Sequence, residues 1–116
     1  MKRVIVTNNK KVAEKLSDKA EIKYIKAPAP QVFEEARAIA SKGGKLLIDP
    51  TREPVKTFYR SLPFIVDDSE PNENTINTLD SLIEKMRKTP GAFSKEPVMA
   101  GMHENKDLDT VMKVLG

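Results

Sequence analysis

The run Lys2-Arg3-Val4-Ile5-Val6-Thr7 constrains this chain more than any other stretch. Consecutive strand residues point to opposite faces, so an apolar run without alternation predicts a strand covered on both sides. Asn8-Asn9-Lys10-Lys11 follows at once, and Val12, Ala13 and Leu16 then recur at helical spacing. Asn at such a boundary caps a helix by accepting from its free amide groups. A doubly covered strand feeding straight into a helix is the opening of an α/β domain.

The pattern repeats. Ala20–Lys26 reads as a second strand, with Ile22 and Tyr24 on one side and Lys23 and Ile25 on the other. The stiff Ala27-Pro28-Ala29-Pro30 segment leads into a helix whose Val32, Phe33, Ala36, Ile39 and Ala40 share a face, and Gly43-Gly44 stops it. Lys45-Leu46-Leu47-Ile48-Asp49 is the third strand. Leu62-Pro63-Phe64-Ile65-Val66 is the fourth, with Pro63 placing it at a sheet edge or at a strand start. Between Asp67 and Gly91, Ile76, Leu79, Leu82, Ile83 and Met86 repeat at three and four, which predicts a long amphipathic helix. Residues 89–106 read as an extended loop. Leu108, Val111, Met112 and Leu115 then mark a short C-terminal helix that docks either on its own sheet or on a partner.

Strands alternating with short helices predict a single α/β domain over residues 1–116. The expected form is a three-layer sandwich around a small, mostly parallel four-stranded sheet, a Rossmann-like or flavodoxin-like half. Strand 1 is expected at the centre with strands 2 and 3 on either side. At 116 residues, 39% of them hydrophobic, the chain has enough length for one modest core.

Charge and composition exclude several classes. Twenty Lys and Arg against seventeen Asp and Glu leave a net charge of +3, a weak footprint for a nucleic-acid binder. There is no cysteine, so neither disulfide nor thiolate chemistry is possible, and His103 alone builds no histidine metal cluster or triad. No metal or other cofactor is expected. No apolar run reaches membrane-spanning length and the N-terminus lacks a signal-peptide core, so the expected location is the cytoplasm, away from membranes.

In an open parallel sheet, ligands sit beyond the carboxyl ends of the strands where strand order reverses. That places the expected site at Asn8 and Asn9 and at the segment opening with Asp49, Thr51 and Arg52. Asp67-Asp68 is expected along the same edge. Lys56, Tyr59 and Arg60 continue that segment, whose arginines offer planar forks for a carboxylate or phosphate. Each feature also has a plainer use. Asn8 and Asn9 serve as helix caps, Arg52 pairs with Glu53 in solvent, and Asp67-Asp68 supports the N-terminus of the next helix. No GxGxxG or GK[ST] loop is present, which argues against a conventional dinucleotide or nucleoside triphosphate site. Asp49 at the end of a third strand has the position of a receiver-domain phosphoacceptor, yet Asn8-Asn9 stands where such a domain needs acids.

Three segments together, Val4-Ile5-Val6-Thr7-Asn8-Asn9, the stretch from Ala36 to Pro50, and Val55-Lys56-Thr57-Phe58-Tyr59-Arg60-Ser61, resemble a family. They are similar to the small GrdX-type proteins encoded with glycine, sarcosine or betaine reductase genes in amino-acid-fermenting anaerobic bacteria. The likeness runs over about residues 1–66. It implies an accessory protein of a reductase system and carries over no catalytic residue. The family tends to have His-Pro where this chain has Asp49-Pro50, and Gly-Ser where it has Glu53-Pro54, so a role that depends on that histidine does not transfer.

The expected function is therefore that of a non-enzymatic accessory or regulatory protein. It would recognise a protein partner, such as a reductase component, or a small anionic ligand. One alternative is a small acyl- or phosphoryl-transfer enzyme using Asp49 or Asp67 with Arg52. Another is a docking or homo-oligomerisation subunit acting through the C-terminal helix.

Overall fold

The structure, a computed structural model, describes residues 2–48, 62–67, 70–88 and 113. In chain order these form β1 (Arg3–Thr7), α1 (Lys10–Leu16), β2 (Glu21–Tyr24), α2 (Ala29–Ala40), β3 (Lys45–Ile48), β4 (Phe64–Val66) and α3 (Glu73–Lys88). The expected loop over residues 89–106 and the C-terminal helix lie outside the described residues, apart from Lys113.

β1 is the doubly covered strand its sequence predicts. Val4 and Val6 point into one core with Ala29, Val32, Phe33, Ala36 and Ala40 of α2 and Leu79, Leu82, Ile83 and Met86 of α3. Ile5 points the other way and meets Val12 and Leu16 of α1, together with Leu62 and Phe64. Helices therefore cover both faces of the sheet. Val32, Phe33 and Ala36 are fully buried, as the spacing in α2 requires, and Ile39 packs at the margin of the same core.

The sheet order is β2-β1-β4-β3, and this overturns the mostly parallel arrangement. β1 pairs with β2 in parallel, but β4 runs antiparallel to both β1 and β3. The sheet is mixed, and β4 separates two strands that a Rossmann-like or flavodoxin-like half sets side by side. The physical reason lies in Phe64-Ile65-Val66, all three buried. Continuous apolarity reports cover on both faces, and that is the same for a strand running in either direction. Pro63 stands immediately before the strand, at its start, and does not mark an edge. Having no N–H to donate, it contributes its carbonyl, which accepts from Val6 N–H at 3.1 Å.

Local signals hold at the helix ends. Asn9 Oδ1 accepts from the N–H groups of Lys11 (2.9 Å) and Val12 (3.3 Å) and so caps α1. Asn72 Oδ1 accepts from Thr75 N–H at 3.1 Å at the start of α3. After α2, Gly44 has φ +151° and lies so close to β4 that a Cβ there would stand 2.5 Å from Ile65 Cγ2. β3 then carries an irregularity, because Leu46 faces Ile65 while Ile48 already faces Phe64. Such a bulge bends and twists a strand, here at the end that leads towards Asp49.

Candidate functional site

With β4 reversed, one edge of the sheet collects the carboxyl ends of β1, β2 and β3 and the entry to β4. Thr7-Asn8-Asn9 leaves β1 there, and Tyr24-Ile25 leaves β2 beside it, with Ile25 N–H donating to Thr7 C=O at 2.9 Å. Asn8 is 7% exposed, and its Nδ2 donates to the carbonyl of Ala27 at 2.9 Å, tying the β1 exit to the turn before α2. Asn9 N–H donates to Thr7 Oγ1 at 3.0 Å, which tightens the same turn. Leu62 and Pro63 enter β4 at this edge and Ile48 leaves β3 at it.

Of the expected site residues, the structure brings Asn8 and Asn9 together at this edge. Asn9 performs the plainer of its two roles, since its side-chain oxygen is engaged by the cap. Asn8 acts as a buried tie between two loops. Asp49, Thr51, Arg52, Lys56, Tyr59 and Arg60 lie outside the described residues. The points where that segment leaves and rejoins the sheet, Ile48 and Leu62, are both at the Asn8 edge.

Asp67 is not. Because β4 runs the other way, its carboxyl end meets the amino end of β1. Val66 faces Arg3, and Asp67 N–H donates to Lys2 C=O at 2.8 Å. The expectation that Asp67 borders the Asn8 edge is thereby corrected, and an acid–base role for it beside Asn8 is removed. Asp68 lies outside the described residues.

At that opposite edge Lys2 Nζ pairs with Glu21 at 2.8 Å. The hydrogen bond to Glu21, then the charge of Glu21, holds the Lys2 ammonium pKa above its ordinary value, with a smaller contribution from Asp67. Among the described residues, no group of three or more acidic or histidine side chains is arranged to hold a metal ion. No described helix is long and apolar enough to cross a membrane.

Sequence reasoning placed Thr7 in the loop with Asn8 and Asn9 but gave its turn-organising hydroxyl no part, and it missed Ala27, whose carbonyl receives Asn8. Thr7 closes an apolar run and offered a signal. Ala27 offered none, because its part is played by backbone alone. No curated protein and no solved structure matches the chain. The family model of the GrdX-like proteins matches residues 4–111, well past the residue-66 limit of the sequence resemblance and over nearly the whole length. The chain belongs to the GrdX-like family.

Proposed function

We propose that this protein is a non-enzymatic accessory or regulatory component of an amino-acid reductase system. In this reading it recognises an anionic group at the sheet edge that holds Asn8 and Asn9, with side chains of residues 49–61 contributing. The group is presented either by a reductase subunit or by a small ligand. The observation that carries the reading is connectivity. The segment holding Arg52, Lys56, Tyr59 and Arg60 is anchored at both ends, through Ile48 and Leu62, to the edge where Asn8 ties β1 to the turn before α2. Family membership supports the link to glycine reductase systems.

The test pairs a thermal-shift panel of phosphate, nucleotides and small carboxylates with retention of purified reductase subunits on the immobilised full chain. A ligand at about 100 times its Kd adds about 2.7 kcal/mol to the stability of the folded state, a readily measured rise in Tm. Binding in either arm that disappears in the R52E/K56E double variant supports the reading. Absence of both responses in the wild-type chain overturns it.

A further inference from the structure

The two edges of the sheet are finished differently. On the β3 side, Gly44 N–H donates to Glu70 C=O at 3.1 Å and Leu46 N–H donates to Thr75 Oγ1 at 3.0 Å. Gly44 also forms a bridge with Pro71. That edge is covered by the chain's own residues 70–75.

Among the described residues, none covers the β2 edge. Ile25 N–H turns inward to Thr7, so by strand alternation Glu21 and Lys23 also turn their backbones to β1, while Ile22 and Tyr24 turn theirs outward. Among the described residues, nothing donates to or accepts from those outward groups. Tyr24 is the one large apolar side chain among the described residues that stands exposed, at 44%.

We propose that this edge is a self-association surface, on which β2 of a second copy of the chain adds antiparallel to extend the sheet across a two-fold axis. Charge complementarity selects this occupant. Antiparallel pairing must set outward-facing residues opposite one another, which leaves few registers for so short a strand. Centring on Lys23 sets Lys23 against Lys23 of the second copy, and centring on Glu21 sets Glu21 against Glu21. Centring on Ile22 sets Glu21 opposite Lys23 on both sides of the axis.

In that register Ile22 meets its own counterpart on the α1 face, and Tyr24 lies across from Ala20. On the other face, Lys2 already pairs with Glu21, and Lys23 with Glu35. The junction therefore lines up Lys2, Glu21, Lys23 of the second copy and Glu35 of the second copy with alternating sign. Edge charges of this kind repel the wrong registers and favour one.

A two-fold axis through Ile22 points the two Asn8 edges in opposite directions. The dimer thus displays two recognition edges facing away from each other, suited to bridging two partners. Self-association stands independently of what those edges recognise.

The experiment is sedimentation of the full chain over a concentration series at low salt. So short a ladder buries less than an ordinary stable interface, so the dimer is expected with a Kd on the order of 10–500 μM. Glu21→Lys sets like charges opposite each other twice per dimer and is expected to weaken association at least about tenfold. Lys23→Glu, which leaves the Lys2–Glu21 pair intact, is expected to do the same. The E21K/K23E double variant restores unlike pairing and is expected to recover association to within about threefold of wild type. Both positions are exposed, so thermal melts of all variants should stay close to wild type. A wild-type chain that remains monomeric at about 1 mM overturns the proposal, whatever else it binds. So does a single reversal that leaves the dimer unchanged, or a well-folded double variant that fails to recover it.

Discussion

Thr75 and Gly44 show how single residues close the β3 side of this sheet. Thr75 is 5% exposed and its hydroxyl accepts from Leu46 N–H, so the isosteric Thr75→Val leaves a buried donor without a partner. The expected loss is about 1–2 kcal/mol, read as a lower urea midpoint at an unchanged slope. Gly44→Ala combines a φ of +151° with a contact of 2.5 Å to Ile65 Cγ2. Its expected cost is about 2–4 kcal/mol, and a variant as stable as wild type would mean that Gly44 does not approach β4 so closely. Neither effect follows from residue type alone. Gly43-Gly44 was legible as a helix stop, but the demand for Gly at position 44 comes from β4, some twenty residues later in the chain.

At the scale of elements, α2 and α3 form the main body of the domain. Phe33, 0% exposed, fills the space between α2, α3 and β1. Phe33→Ala is expected to cost about 3–5 kcal/mol, enough to threaten a domain of ordinary total stability. The ion pairs across the outer surface of the two helices, Arg37–Asp80 and Arg87–Glu34, are largely solvent-exposed. Asp80→Ala should therefore cost less than about 1 kcal/mol, since screening and side-chain entropy offset most of the attraction. Comparing the urea midpoints of these two variants tests which interaction holds the helices together. The helices themselves were legible because their apolar periods are local. So was the cap at Asn9, where the plainer reading of an Asn before a helix proved to be the operative one.

At the scale of the whole molecule, the decisive feature is the insertion of β4 between β1 and β3. A fragment of residues 1–61 contains three of the four strands in order, yet lacks the strand that joins β1 to β3. It also lacks α3, which supplies Leu79, Leu82, Ile83 and Met86 to the main core. The fragment is expected to be unfolded by far-UV circular dichroism and by amide proton dispersion. Native-like dispersion would contradict a central β4. Insertion of β4 also moves Asp67 away from Asn8, and with it one of the two acids considered for an enzymatic role.

By itself the sequence determined the described strands and helices up to Lys88, the burial of β1 on both faces, the capping of α1 and the family likeness. All of these rest on contacts between near neighbours or on a periodicity carried within one segment. It also placed Asn8 and Asn9 together at the carboxyl end of β1, because a helix capped by Asn9 must begin where the strand ends. Only the tertiary structure decided the direction of β4, the separation of Asp67 from Asn8, and the covering of the β3 edge by residues 70–75. Val4, Ile5, Val6, Phe64, Ile65 and Val66 all report that they are buried, and hydrophobic burial is non-directional. Which strands become neighbours, and which way each one runs, depends on hydrogen-bond pairing between residues far apart in the chain, and apolar patterning within one strand carries no record of that pairing.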